Sequence, residues 1–548
     1  MRRKGEPTPV DLTPYAGRWV ALVRGRIAGV GWTAEEALWA AKRSRPKEEP
    51  GLIFVPAVEV TDVTVGLPDW PWRVVQELAK EHRVRVWLVG GAVRDALLGR
   101  PVHDWDFAVD RGALRLARAV GDAVGGAYFP LDTERGTGRV IVTAADDTQL
   151  KLDFALLRDA SLETDLAGRD FTINALALDE DGRLIDPLGG EADLKAKRIR
   201  ATSDRIFCKD AVRLLRAVRI EAELGFEIEP QTAAWIRRDA PLLTQSSAER
   251  VRDEFVRLLA MQGAAAHVQR LDEFGLVPYV VPELESLKSV AQSPPHRFDV
   301  WRHTLLTLDT LERVVAAITG GVVKPSDMAG VPSVAWGDLA RTLSQFASDL
   351  AAHLSVEVGG GRKRALVLKL AALLHDLGKP ATRSQDEEGN AHFYNHEPVG
   401  ARMAALRLRE LRFSGNEIER MQVLVGQHLR PAHLARAERL TRRAVYRYFR
   451  ATGCAGVDVV LLSLSDHLAT WGPNLRERRW LRRLEVAEIL LSHWFERYEE
   501  TVEPVPLLTG DDLIEELGLS PGPQIGRLLE AVREAQAAGE VGSVSYTH

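Results

Sequence analysis

The 548-residue chain is too long for one hydrophobic core, and with 45% hydrophobic and 27% charged residues it reads as a globular protein of three or four domains. A formal net charge of −5 argues against wholesale electrostatic capture of nucleic acid but leaves room for local basic faces. Two cysteines without CxxC spacing argue against a disulfide framework or zinc ribbon, and the lack of a long apolar run or signal-peptide core predicts a cytoplasmic protein with no membrane partner.

Residues 1–60 predict a small N-terminal α+β module. RWVALVRGRIAGVG reads as two strands around Arg24-Gly25, TAEEALWAAKRS as a helix and GLIFVPAV (51–58) as a third strand. Thr33 and Glu36 have the spacing of a capping box. Nothing here carries catalytic residue types, so an accessory docking module is expected. From 68 to 200 helices and strands alternate, as in an α/β head. Beyond Asp204 the pattern is almost wholly helical: a neck (201–290), a second helical domain (291–475) and a C-terminal helical region (476–548). Segment 318–362 reads as an insertion between helical parts.

The head holds VGGAVRDALLGRPVHDWDFAVD (89–110). Gly90 and Gly91 lack a Cβ, so a triphosphate can approach closely, and Arg94 can neutralise it. WDFAVD reads as a strand, where Asp104 and Asp106 project from one face at a period of two. Such a pair suits divalent metals held against phosphate. LKLDFALL supplies Asp153 as a third carboxylate, unless it occupies an edge facing water. G-G-x-x-R-D is not the G-x-G-x-x-G of a dinucleotide site. In GRDFTINALALD (168–179), Asp170 and Asn174 lie one helical turn apart beside Arg169, a cation for phosphate with polar groups for a ribose. A capping role would explain Asp170 but not Asn174. Asp210, Arg213, Arg216 and Arg219 follow at steps of three, the pattern of an exposed basic edge on a half-buried helix.

The helical half offers a second constellation: His303, His375 with Asp376 in HDLGKP, and Asp466, with His396 and His428 between them. Imidazole and carboxylate ligands together suit Mn, Fe, Ni or Mg. RPAHLARAERLTRRAVYRYFR (430–450) carries seven arginines and one glutamate, with Tyr446, Tyr448 and Phe449 interleaved; RERRWLRR (476–483) is a second basic run. A solvated helix face or contact with an RNA backbone fits either run.

LVGGAVRDALLG, DWD, RDFTINALALD, IDPLGGEADL and KDAVRLLRAVRIEAELGF resemble, in order and spacing, the class II tRNA nucleotidyltransferases, the CCA-adding enzymes, over roughly 68–290. The later histidines and aspartates are similar to the HD metal-dependent phosphohydrolases. The resemblance implies a multidomain α+β protein: a nucleotidyltransferase head, an all-α neck, an HD-type domain and C-terminal helices that bind tRNA. It implies that Gly90, Gly91 and Arg94 bind triphosphate, that Asp104 and Asp106 hold two Mg²⁺ with Asp153 beside them, and that Arg169 and Asp170 contact phosphate and ribose. Asp210 and Arg213 would read the base edge of CTP or ATP, with Arg216 and Arg219 lining the pocket. The partners implied are CTP, ATP and the tRNA 3′ end, whose hydroxyl attacks the α-phosphate in line.

Two positions depart from the family pattern: Gly168 stands where an arginine precedes Arg169, and Lys209 where a glutamate precedes Asp210. LDTERGTGRV (131–140), with Glu134 and Arg135, is the candidate mobile loop that helps switch from C to A. Residues 513–541 resemble a C-terminal element of HD-bearing tRNA nucleotidyltransferases. A-adding, CC-adding and poly(A)-polymerase relatives share the head motifs, so product length and CTP use separate them. A reading of another class is an HD hydrolase whose head merely binds nucleotide; the HD centre itself suits RNA ends such as 2′,3′-cyclic phosphates.

Overall fold

The computed structural model describes residues 18–24, 26–31, 33–55, 69–144, 148–158, 161–319 and 329–542. It divides into two compact units, one through Leu242 and one from Leu243.

The first unit begins with a three-stranded antiparallel sheet of β1 (Arg18–Val23), β2 (Arg26–Gly31) and β3 (Gly51–Val55), in the order β2-β1-β3. Helix Ala34–Ser44 lies against it, its N-terminus capped by Thr33 Oγ1, which accepts from the Glu36 N–H at 3.1 Å. The helix approaches so closely that a Cβ at Gly29 would stand 2.3 Å from the Ala37 carbonyl oxygen. Residues 56–58 of the expected third strand and Gly25 of the turn lie outside the described residues.

A seven-stranded sheet follows. It uses β4 (Val86–Val89), β5 (Asp104–Val109), β6 (Ala127–Asp132), β7 (Thr137–Thr143), β8 (Gln149–Leu156), β9 (Ala177–Leu178) and β10 (Leu184–Ile185), ordered β10-β9-β4-β5-β8-β7-β6. Only β5 and β8 run parallel; every other neighbouring pair is antiparallel. Trp105, Phe107 and Val109 are buried on one face of β5, and Phe107 stacks between Trp72 and Phe154 with ring centroids 5.8 and 4.8 Å away. Each such aromatic contributes about 1.5–3 kcal/mol by leaving water. That anchored face fixes the opposite one, which carries Asp104 and Asp106.

The second unit is mainly helical. Helices Val300–Thr319, Arg364–Leu374 and Gly456–Trp471 pack together and are rich in fully buried leucine and valine. Helices His396–Glu410 and Gly415–Gln427 pack on each other beside them. The expected insertion over 318–362 is itself folded where it is described: helices Ser333–Ser344 and Ala347–Ser355, then a short hairpin of Glu357–Gly359 with Arg362–Lys363.

Candidate active sites

The parallel register of β5 and β8 sets Asp106 beside Asp153 and Asp104 beside Lys151. β8 lies between β5 and β7, so Asp153 is interior to the sheet and not on a water-facing edge. Its carboxylate is gripped by Arg139, its partner on β7: Nε and Nη2 each donate to one oxygen at 2.7 Å. Burial raises the pKa of Asp106, and the neighbouring carboxylates of Asp153 and Asp104 push it further; Arg169 and Arg216 oppose the rise. Asp104 is the exposed member, with 75% of its side chain accessible.

Gly90 sits at φ +78°, and a Cβ there would come within 2.6 Å of Arg169 Nη1 and 3.6 Å of Asp106 Oδ2. The glycine therefore leaves the guanidinium room beside the aspartate. Arg94 is buried, forks Asp95 at 2.9 Å through Nε and Nη2, and donates from Nη1 to Asn174 Oδ1 at 2.8 Å. Asn174 Nδ2 donates to Asp170 Oδ1 at 3.0 Å, and Arg216 Nε lies 2.8 Å from Asp170 Oδ2. Arg94, Asn174, Asp170 and Arg216 thus form one connected wall rather than separate contacts. Burial works to raise the Asp170 pKa, but Arg216, Asn174 and the Phe171 N–H bring it below the ordinary value. The helical turn expected at 170–174 is a single 3₁₀ turn, Thr172–Asn174, with Asp170 just before it accepting from the Phe171 N–H.

Asp210 is extended between helices Ile206–Lys209 and Arg213–Leu224. The arginine row that follows is not an exposed basic face. Arg213 and Arg219 keep only 13% and 15% of their side chains accessible; Arg213 Nη2 donates to the Gly168 carbonyl at 3.0 Å and Arg219 Nη1 to Glu223 at 2.7 Å. Arg213 Nη1 is buried without a hydrogen-bond partner, and burial lowers its pKa. The loop expected over 131–140 is a β-hairpin: β6 and β7 pair from Ala127 to Ile141 around the turn that holds Glu134 and Arg135, and Asp132 Oδ1 accepts from the Arg135 N–H at 2.9 Å.

In the helical unit, His303 Nε2 stands 3.0 Å from Asp466 Oδ1 and 3.5 Å from Asp376 Oδ2, while His375 Nε2 is 3.1 Å from Asp376 Oδ2. His303, His375 and Asp466 can offer ligand atoms within 4.8 Å of one another, as can His375, Asp376 and His428. His375, His396 and His428 each bond through Nδ1 to the carbonyl three residues back, at 2.7–2.8 Å. That bond makes Nδ1 the donor and turns Nε2 inward, the nitrogen a metal would use. His396 Nε2 is buried and makes no hydrogen bond. Burial would raise the Asp376 pKa, yet His375 and Lys379, whose Nζ is 2.7 Å away, hold it well below the ordinary range. Burial and the neighbouring His375 and His396 push His428 down to about 3.

Residues 86–200 match the poly A polymerase head domain, 225–288 the probable RNA and SrmB-binding site of polymerase A, and 342–470 the HD domain. An A-adding tRNA nucleotidyltransferase of Deinococcus radiodurans is 35% identical over 463 residues, 83% of this chain and 92% of that protein. The chain belongs to the tRNA nucleotidyltransferase family. A CC-adding tRNA nucleotidyltransferase of Thermus thermophilus is 34% identical, over 83% of this chain and 90% of that one. A solved CCA-adding enzyme in its apo form shares the fold at a TM-score of 0.55, with 18% identity over 86% of this chain and 90% of that chain. No helix among the described residues is long and apolar enough to cross a membrane.

Two residues that sequence reasoning missed also stand at these sites. Arg139 is one; a charged residue within the alternating strand TGRVIVT was its signal. His296 is another, its ring 5.0 Å from that of His303 and its pKa pushed down to about 3 by burial and by Lys379. The later part of the basic run 430–450, from Arg442 on, is paired within the protein. Tyr446, Tyr448 and Phe449 are core residues, and Arg443, Arg447 and Arg450 are met by Glu530, Glu534 and Glu540 on or just beyond helix Pro523–Ala538.

Proposed function

We propose that this nucleotidyltransferase acts in the cytoplasm on the 3′ end of tRNA, transferring CMP or AMP from CTP or ATP and releasing pyrophosphate. The observation that carries this reading is the single face on which Asp104, Asp106 and Asp153 stand beside the Gly90 turn and Arg169. Three neighbouring carboxylates, one with a raised pKa, are a donor set that fits Mg²⁺. Mg²⁺ held by Asp104 and Asp106, with Asp153 beside them, would make the attacking hydroxyl more acidic and screen the departing pyrophosphate. The chain's own groups do the positioning. Gly90 and Gly91 admit the triphosphate, and Arg169 meets its charge with Arg94 and Asn174 holding the adjoining wall. Asp170 takes the ribose side, and Asp210 and the buried Nη1 of Arg213 face the base edge, with Arg216 and Arg219 around it. The 3′-hydroxyl gives up its proton to solvent, its oxygen bonds to the α-phosphorus as the bridge to the β-phosphate breaks, and pyrophosphate leaves with the electron pair. The test is pyrophosphate release from CTP and ATP that depends on tRNA lacking its 3′ nucleotides and is lost when Asp104→Ala and Asp106→Ala are combined.

A narrower reading has its own support. The relatives that align with 83–85% of the chain are named A-adding or CC-adding, whereas those named multifunctional CCA protein align with 41–59%. On that ground the protein adds either the CC or the terminal A, not the whole CCA end.

For the second unit we propose a phosphohydrolase. His303, His375, Asp376 and Asp466 would hold a divalent metal (Mn, Mg, Ni or Fe), with His396 and His428 as further ligands; the inward Nε2 atoms, that of His396 buried without a hydrogen bond, fit that role. The metal would supply a more acidic water. Water oxygen bonds to phosphorus, the ester P–O bond breaks, and the proton goes to the leaving oxygen. Metal content before and after His375→Gln, with hydrolysis of bis(p-nitrophenyl) phosphate, tests it.

A further inference from the structure

The HD centre does not sit in a small-molecule pocket. It opens into a cavity of about 1850 Å³, whose lining includes Asp376, His396, His428 and Asp466. That exceeds the roughly 300–1,000 Å³ typical of a small-molecule site. The same lining is also basic: it includes Arg436, Arg478, Arg479, Arg482 and Arg483. Arg482 pairs with Glu485 at 2.6 Å, but none of the other four has a carboxylate ion pair among the described residues. The contrast with the run at 442–450, whose guanidiniums are occupied by glutamates, is direct.

The unpaired arginines share this cavity with the histidine and aspartate cluster. Burial lowers the pKa of Arg483; Asp466 pulls it back up, and Arg436 and Arg479 push it down further. Tyr394, 70% exposed and stacked on His392 with ring centroids 5.4 Å apart, stands at the same cavity. Trp471, also in the lining, lies under Arg476 and Arg479, 5.4 and 5.2 Å from its ring. Clustered guanidiniums kept without acidic partners are held in mutual repulsion that a polyanion relieves. Guanidiniums beside exposed aromatic rings are the elements by which proteins hold single-stranded RNA.

We propose that this cavity binds the end of an RNA strand: several consecutive phosphates lie along Arg436, Arg478, Arg479 and Arg483, a base stacks on Tyr394, and the terminal phosphoester reaches the HD histidines. Resting on the phosphohydrolase reading of that centre, the inference names its substrate class as oligonucleotide ends rather than free mononucleotides.

Binding in chelator, without metal or turnover, tests it. A fluorescent hexaribonucleotide with a 3′-phosphate is titrated against the full chain, with the 3′-phosphorylated mononucleotide as competitor. The hexamer binds at least about tenfold more tightly than the mononucleotide. Replacing Arg436, Arg478 and Arg479 together by Gln weakens the hexamer at least about tenfold and reduces the salt dependence by about 0.7 in log–log slope per lost phosphate contact. These three are exposed, so the variant keeps the fold; Tyr394→Ala, which alters no charge, weakens the hexamer about fivefold or more with the salt slope unchanged. Equal affinity for hexamer and mononucleotide, or variants that bind and respond to salt as the parent does, overturns the inference. Hydrolysis of bis(p-nitrophenyl) phosphate by the metal-loaded protein is scored separately: its absence removes the phosphohydrolase reading, whereas the binding results decide the RNA site.

Discussion

Arg139 holds Asp153 by two hydrogen bonds of 2.7 Å, directly beside Asp106 in the parallel register of β5 and β8. On the proposed reading of the site, the third carboxylate is shared: a cation of the protein occupies the oxygens that a metal would use. The bond to Asp153 raises the Arg139 pKa, so the competitor stays charged at any working pH. Replacing Arg139 by Gln removes that competition. The Mg²⁺ concentration for half-maximal transfer is expected to fall several-fold, read from initial rates against Mg²⁺; an unchanged or higher requirement contradicts a shared carboxylate.

Asp106→Asn keeps the shape of the side chain and removes its charge. Transfer should fall by about 10²–10³-fold or more while nucleotide binding, followed by equilibrium dialysis, persists. In the parent, the raised pKa of Asp106 sets an acid limb above the usual aspartate range. Raising Mg²⁺ should move that limb to lower pH, because metal and proton compete for the same oxygens. A limb indifferent to Mg²⁺ would place the titration elsewhere.

Gly90→Ala adds a Cβ 2.6 Å from Arg169 Nη1 at a φ of +78° that alanine rarely adopts. The strain costs about 1–3 kcal/mol of stability. Arg169 is displaced, so kcat falls and the KM for nucleotide rises. Thermal unfolding and steady-state kinetics on one preparation check both, and a variant with native kinetics would show that Arg169 does not need this space.

The site was only partly legible in the sequence. WDFAVD alternates cleanly, so the shared face of Asp104 and Asp106 followed from local geometry alone. The pairing of Asp106 with Asp153 joins strands separated by two others in the chain, and no local pattern encodes which register they adopt. The arginines at steps of three looked like an exposed edge because a positive stripe reads the same whether or not acidic groups meet it. Arg219 has Glu223 one turn on, whereas Arg216 meets Asp170 from a distant turn. For Arg443 and Arg447 the decisive partner, Glu534, is 91 and 87 residues later. The six HD residues were readable by type and order, but His296 was not, since nothing in SPPHRF marks a histidine that the fold turns toward His303.

Acid should weaken the metal-free helical unit. His296 and His428 have folded values of about 3 against 6.5 unfolded. The unfolded chain takes up their protons first, so this contribution is fully present above about pH 6.5 and is lost as pH falls toward 3. Thermal unfolding in chelator between pH 7.5 and 4.5 should show the decline, with a flatter profile for His428→Gln. Identical pH profiles for variant and parent would remove His428 from the account.

Glu530→Gln and Glu534→Gln together release Arg447 and Arg450 from helix Pro523–Ala538, while Arg443 keeps Glu540. Affinity for tRNA should rise and become steeper in salt, measured by filter binding at several ionic strengths. No gain in affinity would mean that the freed guanidiniums lie away from any RNA path.

The central claim is tested most directly by extension at single-nucleotide resolution. Purified protein with Mg²⁺ receives tRNA transcripts ending before CCA, after C and after CC, each with CTP, ATP or both. The account predicts a defined stop: CC added to the bare end with CTP, or a single A added to the CC end with ATP, and in either case nothing beyond. Long A tails would mark a poly(A) polymerase, and no extension on any end would contradict nucleotidyl transfer to tRNA.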